Sequence, residues 1–332
     1  MGDASRVGEV RRHASALAAD MGWDEADAGR AGLVATELAT NLVRHARDAE
    51  IWMAARPPFH DIEIICVDRG PGITDIANAM QDGVSTGSGS PGTGLGAISR
   101  VADDFFVFSE AEGTVSLARV REGRRAPLPL SLRMGAVCLA VAPETISGDA
   151  WAVRTCPGRA DVLVVDGLGH GPLAGEAARG AVDVFASWGT LGTQAGAGAA
   201  SLDEFVSRAH EALRGTRGAA LFVARCGAQA LQCCGAGNIS GRLFNGVTDR
   251  TLTGQHGTVG IQLSSPKVTD YQSLAHGVLV LHSDGVSARW KHADHASLLG
   301  RDAGLLAACI LWRNTRSRDD ATVVVLKAEE EQ

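Results

Sequence analysis

At 332 residues the chain is twice or more the usual domain length of roughly 150, so two domains are expected, each long enough to bury its own core. A formal net charge of -7 excludes a dominant basic face, and with it a nucleic-acid partner. Neither export nor a membrane anchor is expected, because no stretch approaches the ~20 apolar residues of a membrane span. Seven cysteines, an odd number without a Cys-x-x-Cys pair, read as reduced buried thiols and so as a cytoplasmic protein.

In chain order, helical patterning from Ala4 to Ala19 is followed by a stronger amphipathic run from Asp24 to His45. Ile51 to Ala55 and Asp61 to Val67 read as strands separated by Arg56-Pro57-Pro58, and the second ends in the turn Asp68-Arg69-Gly70-Pro71-Gly72. Met80 to Gly94, rich in Gly, Ser and Thr, is long enough to be a functional loop. A helix from Leu95 to Ala102 and strands at Asp104 to Ser109 and Thr114 to Val120 close a first domain over residues 1–122. The aperiodic, Arg- and Pro-bearing stretch that begins at Arg121 supplies a linker over residues 123–130. Beyond it, residues 131–332 alternate strands (Arg133 to Val141, Asp149 to Thr155, Val162 to Val165, Ala219 to Arg225, Gln229 to Cys234, Gly277 to His282, Thr322 to Lys327) with helices at Leu173 to Trp188 and Leu202 to Leu213. An α/β sandwich is the expected result.

Three features of the first domain carry chemistry. Glu37 and Asn41, four residues apart on one helix, project from one face and pair a general base with a Mg²⁺ ligand; alone, such pairs are commonly solvated surface. Asp68, at a strand end before Gly70 and Gly72, offers a carboxylate to an exocyclic amine beside backbone that a flat ligand can approach. Gly92, Gly94, Leu95 and Gly96 run into a helix whose free N–H groups face phosphate, without the lysine of a P-loop.

In this order the three features resemble the N, G1 and G2 boxes of the GHKL ATPases over residues 5–120. The segments Glu37-Leu-Ala-Thr-Asn41, Gln81-Asp82-Gly83-Val-Ser-Thr86-Gly87 and Gly94-Leu95-Gly96-Ala-Ile-Ser-Arg100 look most like stressosome switch kinases of the RsbT type. The resemblance implies a Bergerat α/β sandwich that binds ATP and Mg²⁺. Glu37 would polarise a protein hydroxyl, Asn41 would hold Mg²⁺, Asp68 would read adenine with Thr114, and the glycines with Leu95 would wrap the phosphates. With no phospho-accepting histidine helix ahead of it, a histidine kinase is not expected, and His45 is read as packing at a helix end.

In the second domain, aspartates flank strands four times: Ser147-Gly148-Asp149, Asp166-Gly167-Leu168-Gly169-His170, Ser283-Asp284-Gly285 and Arg318-Asp319-Asp320. Hard cations take oxygen ligands of this kind. The order resembles PP2C-type phosphatases of the SpoIIE and RsbX branch over residues 131–328, which implies a β-sandwich flanked by helices and two Mn²⁺ or Mg²⁺ ions. By that resemblance Asp166 would bridge the ions, the Gly167 carbonyl would ligate, and Asp149, Asp284 and Asp319 would complete the shell. Asp320 falls where many members carry asparagine. The eukaryotic members' phosphate-binding arginine has no clear counterpart; Arg133 and Arg154 are the candidates. His170 and His282 are read as supporting groups, and Cys233-Cys234 as buried strand.

The joint reading is a bifunctional serine/threonine kinase and phosphatase. The resemblance, not composition, supplies a STAS-domain protein as substrate, with a sigma factor or a downstream phosphatase as further partners. The rival reading is a nucleotide-dependent anti-sigma factor carrying an attached phosphatase or a degenerate regulatory domain.

Overall fold

The computed structural model describes residues 5–81, 94–126, 132–156, 159–188, 200–227, 230–244, 248–272, 274 and 277–328. The chain forms two compact units, Met1–Pro129 and Leu130–Gln332.

The first unit opens with α1 (Ser5–Asp20) and α2 (Glu25–His45). Asp24 caps α2 by accepting from Asp27 N at 2.8 Å, and the acids Glu25 and Asp27 suit the positive end of the helix. An apolar stripe of Ala31, Val34, Ala35, Leu38, Ala39 and Leu42 meets Val10, Ala14 and Ala18 of α1. Four antiparallel strands, β1 (Glu50–Arg56), β2 (Asp61–Asp68), β3 (Asp104–Glu110) and β4 (Gly113–Arg121), pair in the order β1-β2-β4-β3. Alternate residues Ile62, Ile64 and Cys66 of β2 and Ala118 and Val120 of β4 enter the core shared with the helices. Between β2 and β3 lie the short α3 (Ile76–Ala79) and α4 (Gly94–Val101), the latter adding Ile98 to that core.

The opposite face of the sheet carries buried charge. Arg56 donates to both oxygens of Asp61 at 2.7 Å and reaches Glu63 at 3.0 Å, and Arg119 Nε donates to Glu63 at 2.8 Å. Every member of that ladder is paired, as buried charge requires. Strand β4 runs through Arg121, and Gly123 N beyond it donates to Asp27 Oδ2 at 2.6 Å. The expected linker is therefore tied to α2 as far as Gly123. Its residues 127–130 lie outside the described residues, as do Gly92 and most of the Met80 to Gly94 loop.

The second unit stacks two five-stranded antiparallel sheets. One contains β5 (Leu132–Leu139), β10 (Ser240–Phe244), β11 (Asp249–Thr253), β15 (Val278–His282) and β16 (Ala321–Ala328), in the order β11-β10-β15-β16-β5. The other contains β6 (Asp149–Cys156), β7 (Arg159–Gly167), β8 (Ala219–Gly227), β9 (Ala230–Ala236) and β14 (Thr269–Gln272), in the order β14-β9-β8-β7-β6. Val162, Val164, Phe222 and Leu231 from one sheet interlock with Leu243, Leu279, Leu281, Val324 and Leu326 from the other. The intervening residues Leu163, Val165, Leu221 and Val223 face outward under α5 (Pro172–Trp188) and α6 (Leu202–Ala212). A last helix, α7 (Ala303–Asn314), covers β5 and β16. The expected helix-flanked β-sandwich is what forms.

Ahead of α7, a 3-10 segment at His292–Leu298 buries His295 to 1% exposure beside the edge of the Trp290 ring, with both ring nitrogens lacking a hydrogen-bond partner. Burial, reinforced by Arg313, holds its pKa down, from the ordinary 6.5 to about 4. The folded state therefore binds fewer protons than the unfolded one, and this residue's contribution is lost as pH falls from 6.5 through about 4. Thermal unfolding followed across that range should show a shallower acid loss for His295→Phe than for the native chain. Identical slopes would remove His295 from the account.

Candidate functional sites

In the first unit, Glu37 and Asn41 sit half-buried on α2, flanked by Leu38 and Leu42 of its core stripe. The hydroxyls of Thr36 and Thr40 donate to helix carbonyls one turn back, at 2.7 Å each, so the polar face that remains is Glu37 and Asn41. Asn41 Nδ2 is buried without a partner, an orphaned polar atom at the place where the sequence pattern sets a nucleotide-associated ligand. His45, expected to pack at the helix end, is exposed.

Asp68 ends β2 at 9% exposure, accepts from Gly70 N at 2.7 Å and stands opposite Thr114 of β4. Burial pushes its carboxyl above the usual range. The turn that follows is tied to the end of α2, since Arg69 N donates to Arg47 O at 2.8 Å. Gly72 has φ +74, and a Cβ there would lie 2.1 Å from Glu110 O, so the chain's own packing demands glycine. Ser109, not singled out in the sequence, joins these parts: its Oγ accepts from Ile73 N at 2.7 Å and shares a hydrogen bond with Thr114 Oγ1 at 2.8 Å. A serine in a strand carries no pattern that marks such a joint. Gly94, Leu95 and Gly96 lie in the first turn of α4, which packs on α2.

In the second unit, the register of β6 and β7 sets Asp149 directly opposite Asp166. Like charges so placed repel. Burial, with Asp149, Asp284, Asp319 and Asp320 adding repulsion, pushes Asp166 up to about 8. Burial likewise pushes Asp149 up to about 7, against the hydroxyl that holds it. Four acids brought into mutual range from the ends of β6, β7 and β15 and the start of β16 form an oxygen-only donor set that suits hard divalent cations. Three of them are meanwhile held by protein: Ser283 Oγ donates to Asp149 Oδ2 at 2.6 Å, Asn238 Nδ2 to Asp284 Oδ2 at 2.6 Å, and Asp320 N to Asp319 Oδ1 at 3.0 Å. Among the described residues no three His, Cys, Asp or Glu side chains close into a cage of metal-ligand dimensions.

The glycines beside these acids mark where loops touch. A Cβ on Gly167 would lie 2.2 Å from Ala174 O, and one on Gly285 would lie 2.0 Å from Asp320 O. Asp320 itself, 2% exposed, is a clamp: its oxygens accept from Val141 N at 2.7 Å and Gly148 N at 2.6 Å, a two-acceptor task for which asparagine has only one oxygen. Ser283, fully buried, accepts from Thr322 N at 2.9 Å while donating to Asp149, and so joins three strand ends.

His282 Nδ1 donates to Ser283 O at 2.8 Å, and exposed His170 meets Glu144 at 3.2 Å. Neither proposed arginine reaches the acids. Arg133 lies at the far end of β5, opposite Lys327, and Arg154, five residues along β6 and about 17 Å from Asp149, pairs with Asp161 at 2.5 Å. All seven cysteines are free, and burial pushes the Cys234 thiol up to about 12. Among the described residues no helix is long and apolar enough to cross a membrane.

Residues 2–119 match the family model of the histidine kinase-like ATPase domain. Serine/threonine-protein kinase RsbT of Bacillus subtilis (strain 168) is 38% identical over 101 residues, 30% of this chain and 75% of that protein. A solved structure described as "The bacterial stressosome: a modular system that has been adapted to control secondary messenger signaling" superimposes with a TM-score of 0.53 at 26% identity, over 59% of this chain and 99% of that one. RsbX in complex with magnesium gives a TM-score of 0.52 at 17% identity, over 60% and 96%.

Replacing Ser283 by alanine leaves the buried Thr322 N–H and one buried Asp149 oxygen without the hydroxyl that now pairs with both. Unfolding of the second unit in urea should lose about 2–3 kcal/mol in that variant, and a loss within error of zero would show that the hydroxyl is not a joint.

Proposed function

The chain belongs, through its first unit, to the RsbT-like histidine kinase-like ATPases, and its second unit has the PP2C phosphatase fold; on that premise we propose that it is a bifunctional switch which phosphorylates a serine or threonine of a STAS-domain protein and also removes the phosphate. The observation that carries the phosphatase half is the cross-strand pair Asp149 and Asp166, supported by Asp284 and Asp319 at neighbouring strand ends. Their oxygens, with the Gly167 carbonyl, would hold Mn²⁺ or Mg²⁺. When bound, such ions supply Lewis-acid charge and water activated for attack on phosphorus. The protein's own part is orientation: Ser283 and Asn238 fix Asp149 and Asp284, and the Asp320 clamp fixes the loop before Asp149.

For the kinase half, Asp68 would accept from the adenine amine with the oxygen that Gly70 leaves unused, and Asn41 would ligate Mg²⁺ through its carboxamide oxygen, leaving the unpaired Nδ2 to donate to the nucleotide. Glu37, on the same face, would polarise the attacking hydroxyl. The stressosome structure and RsbT support a STAS-domain substrate as the partner class.

Mn²⁺-dependent hydrolysis of an aryl phosphate should be present in the native chain and fall by at least about a hundredfold in Asp166→Asn and in Asp284→Asn. Activity indifferent to both substitutions would sink the phosphatase assignment. Transfer of labelled phosphate from ATP to a STAS protein should vanish in Glu37→Ala and in Asp68→Asn. ATP-dependent capture of a sigma factor without such transfer would instead favour an anti-sigma factor.

A further inference from the structure

Pairing between β7 and β8 continues beyond the carboxylates. Asp166 faces Ala220 and Gly167 faces Ala219, and Leu168 N then donates to Gly218 O at 3.0 Å. Arg217 directly precedes Gly218, and Gly169 directly follows Leu168, so the two flank this last bond.

The arginine is placed there by its backbone. Thr216 Oγ1 donates to Leu213 O at 2.7 Å and accepts from Gly218 N at 3.0 Å, which closes the turn that carries Arg217. Gly218 has φ +77, and a Cβ on it would lie 2.8 Å from Val259 O, so this end of the turn is pinned as well. The guanidinium folds onto the loop after Asp166, its Nη1 lying 3.0 Å from the point a Cβ on Gly169 would occupy. The Gly169 carbonyl in turn approaches to 3.1 Å the Cβ position of Gly148, the residue before Asp149 and the donor to Asp320. Two close approaches thus connect the guanidinium to the acid cluster.

What Arg217 does not do is as informative. Among the described residues it is exposed and enters no hydrogen bond or ion pair, although four carboxylates are grouped at the strand ends beside its turn. Arg154 and Arg225, on the same sheet, are by contrast both spent on Asp161, at 2.5 and 2.8 Å. A fork of donors fixed beside an acidic site, and not neutralised by it, is available to an anion that arrives from solution.

We propose that Arg217 is the phosphoryl-binding residue of the second unit, taking the oxygens of a phosphomonoester dianion at the mouth of the Asp149, Asp166, Asp284 and Asp319 site. The proposal rests on the phosphatase reading above. It assigns recognition of the substrate's phosphate to the turn between α6 and β8, not to the β5 and β6 strands where Arg133 and Arg154 lie.

The test uses the full chain in three forms, native, Arg217→Ala and Arg217→Lys, titrated calorimetrically first with Mn²⁺ and then, Mn²⁺-loaded, with inorganic phosphate. Aryl phosphate kinetics accompany the titrations. Mn²⁺ affinity should be the same in all three, while phosphate affinity drops about tenfold or more in Arg217→Ala, as for the loss of one charge-assisted pair. KM for the aryl phosphate should rise in parallel with kcat little changed, and Arg217→Lys should fall between. Equal phosphate affinity in native and Arg217→Ala chains, or no phosphate uptake by the Mn²⁺-loaded native chain, would overturn the inference and leave the phosphatase reading standing. A native chain that takes up no Mn²⁺ would overturn that reading, and this inference with it.

Discussion

Two carboxylates set face to face across adjacent antiparallel strands are a source of unfavourable energy, and the second unit is arranged around that pair. Asp149 opposes Asp166 because the β6 and β7 ladder fixes the register, and a slip of one residue would turn both strands' core side chains to the wrong face. The repulsion is contained by hydrogen bonds that enter from other strands. Ser283 reaches Asp149 from the end of β15, and Asp320 fastens the loops before Asp149 from the start of β16. The sandwich core and the acid site are thereby one construction: the strands that pack Val164 against Val324 are those whose ends carry the acids.

The first unit solves a different problem by simpler means. One helix presents Glu37 and Asn41, and one buried strand presents Asp68. They are brought near each other by local ties, Arg69 to Arg47 and Ser109 to Ile73, and not by a network of acids. On the opposite face of the sheet, Arg56, Asp61, Glu63 and Arg119 form a buried ladder in which they neutralise one another.

Much of this was legible in the sequence because the signals are local. The amphipathic period of α2, the continuous apolar runs of β7 and β8, and the Asp-Gly turns each lie within a few residues. The strand positions flanking Asp68, Asp149, Asp166, Asp284 and Asp319 follow from them. What escaped notice has physical reasons. Helix α7 is apolar on almost every side, with Ala303 to Trp312 buried throughout, so it shows no amphipathic period. Strands β10, β11 and β14 are short and broken by polar residues. Ser109 and Ser283 act through partners distant in sequence, which no spacing along the chain displays. The reading of Arg154 failed for the same reason, since its distance from Asp149 along β6 says nothing of the partner, Asp161, that engages it.

The bond from Gly123 N to Asp27 Oδ2 gives the first unit a mechanical character. Asp27 stands in the first turn of α2, where it also receives Arg30 Nε at 3.1 Å, and α2 is the helix that carries Glu37 and Asn41, with Glu37 about 15 Å further along its axis. Tension applied to the chain as it leaves the first unit is thus borne not by β4 alone but by a stiff rod that also carries Glu37 and Asn41. The exit of the polypeptide and the floor of the first site lie on one load path.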